Sequence, residues 1–267
     1  MPGALTIPVA GVPFEVRDDP DRPAWFLYGV RKSGSSILNS MAASLARMND
    51  VAYVDVAGGF FRNGVDVRAW QNDPGLAALL RGGNLYGGFR NAPLGLAEDP
   101  VVRGSRSALL VRDPRDALVS QYFSDAYSHS IPEAGETRDL MIRQREAALR
   151  ASLADHVLRT APGLRETLRE YYPFLEHPGH RVYQYETAIL NKRWFLRDLC
   201  DHFGWGVTEG QLDQILGWAD VVPEEEDPTR FIRKVLPGDH REKLDARTIA
   251  ALDAVLAEPL GVFGYAG

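Results

Sequence analysis

The chain has 267 residues, 45% of them hydrophobic and 25% charged, a globular composition that suits one large domain or two small ones. A formal net charge of −6 argues against a nucleic-acid or polybasic membrane-surface protein, so any anionic ligand has to be met by a local cluster of cations. The single cysteine, Cys200, excludes an internal disulfide and a cysteine-rich metal site. The opening stretch MPGALTIPVAGVPFEVRDD has no positive n-region and no long apolar core, and no segment reaches the ~20 apolar residues that span a bilayer. The expected location is therefore the cytoplasm.

Taken in chain order, residues 1–23 read as an N-terminal extension. Trp25–Val30 then reads as a first strand, short and rich in aromatic and β-branched residues. A helix is expected over Ser35–Met48, where Ile37, Leu38, Met41, Ala42 and Leu45 recur at helical spacing. Strands follow at Val51–Val56, Asn84–Phe89 and Ala108–Arg112, the last leading into a helix over Arg115–Tyr127. Arg138–Tyr172 reads as helical with a break at Pro162-Gly163, so that residues 138–178 form either a covering layer or a lid over an acceptor. A fifth strand, Arg181–Glu186, precedes helices at Lys192–Phe203 and Ala246–Ala257, and the acidic run Glu224–Asp227 reads as a solvated loop. Nearly continuous apolar strands alternating with helices predict a single α/β domain. Its core is a mostly five-stranded parallel sheet flanked by helices, a P-loop-like architecture.

In such a sheet, ligands collect where strands end and helices begin. The stretch YGVRKSGSS, Tyr28 to Ser36, lies at such a point. Its backbone amides and the start of the following helix offer partial positive charge to a phosphate, Gly34 lets the backbone come close, and Ser35 and Ser36 add hydroxyls. The Walker loop has its lysine directly after the last glycine, whereas here Lys32 stands two residues before Gly34. Read alone, the stretch could equally be a Gly/Ser turn with Ser36 as the helix cap.

A second signal is SALLVRDPRDALVS, Ser107 to Ser120. A strand ends at Arg112, Pro114 suits a helix start, and Ser120 comes two helical turns later on the same general side. A strand-tip arginine is a bidentate anion ligand that a serine can complete, although Arg112, Asp113, Arg115 and Asp116 could also form an ordinary salt-bridged helix start.

Together, Lys32-Ser33-Gly34-Ser35-Ser36 and Arg112-x7-Ser120 resemble the sulfotransferase superfamily, which uses 3′-phosphoadenosine 5′-phosphosulfate (PAPS) as donor and releases the 3′,5′-bisphosphate (PAP). The first stretch is similar to that family's 5′-phosphosulfate loop and the second to its 3′-phosphate motif. YQYETAIL resembles the family's Tyr-Glu-Asp strand end, with Tyr185-Glu186 matched and Thr187 in place of Asp. FIRKVLPGDHREKL resembles F-M-R-K-G-x-x-G-D-W-K through Phe231, Arg233, Lys234, Gly238 and Asp239. The resemblance implies a PAPS-dependent sulfotransferase that needs no metal. The 5′ side of the donor would be held by Arg31, Lys32, Ser33, Gly34, Ser35 and Ser36. Arg112, Ser120, Arg233 and Lys234 would take the 3′-phosphate, with Tyr185 and Phe231 near the adenine. Lys32 is implied to stabilise the leaving oxygen. The acceptor would be a hydroxyl, or less readily an amine, of a small molecule, carbohydrate or lipid; no nucleic acid and no membrane span are expected.

The general base stays open. Cytosolic members of the family carry T-H-L-P near the third strand, and YGGFRNAP (Tyr86–Pro93) has no histidine. Asp55 at the end of the second strand, His129 after the helix of the second motif, and His240 in PGDHR are the candidates, each with a plain structural alternative as a cap or surface residue. Two rival readings are a non-catalytic PAP or PAPS binder and a P-loop kinase; the kinase lacks support, since neither G-x-x-x-x-G-K-[ST] nor a Walker-B aspartate is present.

Overall fold

Alternation within Trp25–Gly29 sets the layers of the molecule. Trp25 and Leu27 face one side of the sheet, Phe26 and Tyr28 the other, and all four are buried. The computed structural model describes residues 3–129, 131, 133, 136–230 and 232–266. Its strands are β1 (Gly3–Val9), β2 (Val12–Asp18), β3 (Trp25–Gly29), β4 (Ala52–Asp55), β5 (Asn84–Phe89), β6 (Arg106–Val111) and β7 (His180–Gln184). The helices of the first half are α1 (Ser35–Met48), α2 (Val56–Arg62), α3 (Val67–Trp70), α4 (Pro100–Gly104), α5 (Pro114–Phe123), α6 (Glu136–Arg150) and α7 (Leu153–Arg169). Those of the second half are α8 (Tyr172–Leu175), α9 (Tyr185–Ala188), α10 (Lys192–Phe203), α11 (Glu209–Ala219), α12 (Asp239–Lys243) and α13 (Ala246–Val262). None of the described helices is long and apolar enough to cross a membrane.

The five expected strands form one parallel sheet in the order β4-β5-β3-β6-β7. On one face α1, α10 and α11 bury Leu38, Leu45, Phe195, Leu199 and Ile215 against Trp25, Leu27 and Leu110. On the other, α2, α5, α7 and α13 bury Phe60, Leu118, Val157 and Leu256 against Phe26, Tyr28 and Val111. Every crossover therefore returns its chain to the same end of the sheet, and the loops after β3, β4, β5, β6 and β7 meet there.

Besides short helices that the sequence reading did not include, three features differ from its expectation. Residues 3–18 are not a plain extension: β1 and β2 pair as an antiparallel hairpin, turning at Ala10 and Gly11, whose φ values are 45° and 77°. Val12, Phe14 and Val16 face inward in strict alternation, and Asn84 fixes the hairpin to the sheet by bonding both backbone groups of Arg17. The helical break falls at Ala151-Ser152, where Ser152 caps α7, and not at Pro162-Gly163. Pro162 sits inside α7 on its exposed face, so the carbonyl deprived of a donor is open to water. The C-terminal helix runs five residues past Ala257 and contains Pro259.

Phe14 is the hairpin's main anchor, packed edge-to-face on Phe60 at 5.0 Å with Gly59 beneath it. Phe14→Ala is expected to cost about 3–5 kcal/mol of unfolding free energy, read by chemical denaturation, as for other buried aromatic truncations. A loss below about 1 kcal/mol, the level of a surface change, would show the hairpin to be an ornament on the fold.

Candidate active site

The loop between β3 and α1 is held in an unusual backbone shape. Lys32 has φ 64° and Gly34 φ 80°, both left-handed, and Lys32 bears the steric cost of a side chain there. Ser33 is turned inward, its hydroxyl donating to the Val30 carbonyl at 2.5 Å, so it fastens the turn and points away from any ligand. No side chain caps the start of α1, although α2, α5, α7, α11 and α13 are each capped by an Asp, Ser or Thr. The first amides of α1, with Ser35 and Ser36, are left facing the strand ends. Asn39 welds the helix to the sheet: its Oδ1 accepts from the Tyr53 hydroxyl and the Gly88 amide, both at 2.9 Å.

On the β6–β7 side, Arg112 lies buried over the Tyr185 ring, with its guanidinium carbon 4.6 Å from the ring centre. One nitrogen makes a long 3.4 Å bond to the Lys32 carbonyl, whereas Nε and Nη2 have no hydrogen-bond partner. Tyr185 also packs against Gly34, where an added Cβ would stand 3.0 Å from the ring, and its hydroxyl donates to the Val235 carbonyl at 2.8 Å. Glu186 accepts from the Asp113 amide and from the Tyr265 hydroxyl, which ties the end of β7 to the start of α5. Ser120 is half-buried on α5, and its hydroxyl takes no hydrogen bond among the described residues.

Asp116 locks the segment that follows. Its carboxylate accepts from the Gly238 amide (2.6 Å), the His240 amide (2.9 Å) and His240 Nδ1 (2.6 Å), with Arg112 Nη2 at 3.7 Å. Burial opposes its ionisation, but those donors and the Arg112 charge hold it well below the usual carboxylate range. His240 is buried and joined to Asp116 through both its backbone amide and Nδ1, so it helps hold this segment against α5. Arg233 stacks on Phe123 at 4.2 Å and bonds Glu226 and Asp239, while Lys234 reaches Asp239 at 3.3 Å and Glu242. The acidic run is thus not merely solvated: Glu226 is drawn into the cationic site and also pairs with Lys243. Phe231 lies outside the described residues.

On the β4–β5 side, Asp55 caps α2 through the Gly58 amide and bonds Arg62 at 2.7 Å. Arg90, the residue directly after β5, donates to Ser36 Oγ at 3.2 Å. His129 ends the π-helical turn Ser124–Ser128, and its carbonyl is held by Arg145. Burial, then the charges of Arg31, Lys32, Arg90 and Arg145, push the His129 imidazole down to about 4, so it is neutral at physiological pH. Asp125, in the same turn, is buried 3.8 Å from His156 Nε2 and is the carboxylate whose field acts on Lys32.

The comparisons decide what kind of scaffold this is. The structure matches a mouse sulfotransferase in complex with PAP (12% identity, TM-score 0.59, covering 96% of this chain and 95% of that one). It also matches a retinol dehydratase in complex with androsterone and the inactive cofactor PAP (14% identity, TM-score 0.53, 96% and 90%). This is the sulfotransferase fold. No family model matches the sequence, and no curated protein matches it either.

Within the sulfotransferase fold, the residues singled out from the sequence converge at one end of the sheet. Lys32, Gly34, Arg112, Tyr185 and Arg233 form one group; Arg90 joins Ser36 and stands in the field of Asp55, while Arg31 and His129 lie close enough to act on both Lys32 and Arg90. Arg90, Asn39 and Asp125 are the site residues that sequence reasoning missed. Arg90 was findable, because it follows a predicted strand at the ligand end. Asp125 carried no such signal, since only a π-helical turn brings it round.

Lys32 is strongly perturbed: burial first, then Arg31, Arg112 and Arg233, against the pull of Asp125, lower its ammonium to about 8. In ligand-free protein labelled by reductive ¹³C-methylation, the Lys32 signal is expected to titrate near pH 8, well below the other lysines. Asp125→Asn should lower that midpoint further. A Lys32 midpoint above 10, the ordinary lysine range, would contradict the burial seen here.

Proposed function

We propose that this protein binds PAPS and transfers its sulfonate to an acceptor hydroxyl. The observation that carries the reading is Arg112: a buried guanidinium whose Nε and Nη2 have no hydrogen-bond partner among the described residues, only the Asp116 charge 3.7 Å from Nη2, beside an uncapped helix start and a glycine that packs on Tyr185. Buried donors without partners are costly, and an anion bridging Arg112 and the loop would satisfy them. PAP bound to the structural neighbours supports the same ligand class.

PAPS supplies an activated sulfonate whose S–O bond to the nucleotide phosphate is broken on transfer. The loop amides, Ser35 and Ser36 would hold the 5′-phosphate, and Arg112 with Ser120 the 3′-phosphate. Arg233 and Lys234 would close over it by exchanging Glu226 and Glu242 for the ligand. Tyr185 is the rigid floor under Arg112, and Phe231 is assigned to the adenine by resemblance alone. Lys32 stands at the front of the loop with no hydrogen-bonded carboxylate, so its charge is free to neutralise a leaving oxygen. His129, neutral and with no side-chain hydrogen bond among the described residues, is the proton acceptor better placed than Asp55, whose carboxylate is engaged by Gly58 and Arg62.

One observation favours a second reading, a PAPS or PAP binder without turnover: a strongly depressed His129 is a weak base. Turnover of labelled PAPS across an acceptor panel separates the two.

Arg112→Ala should weaken PAP roughly thirty- to a hundredfold by calorimetry in chelator, on the order of 2–3 kcal/mol, and adenosine 5′-phosphosulfate far less. Equal losses for both ligands would assign Arg112 a structural role only. His129→Ala is expected to keep PAP affinity and abolish acceptor-dependent turnover, and the acid limb of kcat/KM in the unaltered enzyme should fall near pH 4. An acid limb near 6.5 with full activity in His129→Ala would return the role to another group.

A further inference from the structure

The strand order divides the site into two sides. β3 carries the loop; β6 and β7 on one side bring Arg112 and Tyr185, while β5 and β4 on the other bring Arg90 and Asp55. If the donor nucleotide occupies the β6–β7 side, as proposed above, the β4–β5 side is left for the acceptor. That side carries a surplus of positive charge. Arg31 and Arg90 have no ion pair among the described residues, and Arg145 spends its donors on the carbonyls of Asp125 and His129. Of the carboxylates on that side, Asp55 is committed to Arg62, Asp125 faces Lys32, and Glu170 accepts from Gln71 and Asn91.

Arg90 is the clearest member. It is half-buried, its single hydrogen bond among the described residues is to a neutral serine hydroxyl, and burial and Arg31 disfavour its charge while Asp55 supports it. A guanidinium removed from much of its water, repelled by Arg31 and offered no paired carboxylate is stabilised by an external anion. Its planar fork matches a carboxylate or phosphate in a way that a lone hydroxyl does not. We propose that the acceptor is itself an anion, a hydroxyl compound bearing a carboxylate or phosphate that Arg90 grips, with Arg31 adding to the attraction. This inference rests on the donor assignment above only for which side the acceptor takes.

The test uses matched probes and calorimetry on PAP-saturated protein: 4-hydroxybenzoate, 4-hydroxyphenyl phosphate and the neutral methyl 4-hydroxybenzoate. At least one anionic probe is expected to bind about tenfold or more tightly than the ester, as a charge-assisted pair permits. Comparison of the two acids tells which anion the site takes. Arg90→Gln should erase the preference and Arg90→Lys retain part of it, with the thermal unfolding midpoint of each variant as the check on folding. The inference is overturned if the ester binds as well as both acids or if the preference survives Arg90→Gln. It is also overturned if neither acid binds at millimolar concentration, or if Arg90→Gln weakens PAP while leaving the preference intact. Failure of PAP itself to bind would sink the donor assignment instead, and the same titrations without PAP still decide whether Arg90 selects an anion.

Discussion

The site depends on one contact: the Tyr185 ring, wedged between Gly34 and Arg112. The ring presses on the glycine that allows the loop its left-handed turn, supports the guanidinium face, and anchors Val235 through its hydroxyl. Three segments distant in sequence, from the ends of β3 and β6 and the stretch after α11, are thereby fixed to the first residue of α9, directly after β7. A smaller side chain would leave Arg112 without a floor, and a Cβ on Gly34 would push the ring away. This end of the sheet is therefore assembled by packing first and by charge second.

Burial then gives those charges their character. Asp116 collects donors from Gly238 and His240 with Arg112 nearby, so the segment carrying Arg233 and Lys234 is bolted to the same helix that follows Arg112. A carboxylate with this many donors stays ionised although buried, and the arginine beside it keeps two N–H groups free. Rigid, partly desolvated donors aimed at one place need little reorganisation when a ligand's charge arrives.

The sheet was legible in the sequence because its strands are apolar on both faces, and a strand covered on both sides leaves an unbroken signal: all five appear within two residues of their predicted ends. The loop and Arg112 were legible because each ends a strand at the ligand side. The hairpin was not, because Ala10-Gly11 is a weak turn signal and the prolines Pro8 and Pro13 face each other across it. Helix α11 was missed although Thr208 and Gln211 form a capping box, a pattern readable as T-x-x-Q. The pairing of Asp116 with His240, 124 residues apart, has no local signature at all, so His240 looked like a free titratable group.

A chain of net charge −6 can still build an anion site, because charge acts over a Debye length of about 8–10 Å and not over the whole molecule. Several acids near the site are engaged in pairs of their own: Asp113 with Arg115, Asp116 with His240, Asp239 and Glu226 with Arg233. Glu226 differs from the others in kind. It comes from a half-exposed loop, whereas Asp239 is fully buried and Asp113 nearly so. Pairs that are buried on both sides are expensive to break, whereas one with a wet partner exchanges readily for a better anion. On the proposed reading, Arg233 is held against Phe123 by a half-exposed carboxylate that the donor's phosphate would displace, and Asp239 would keep it oriented through that exchange.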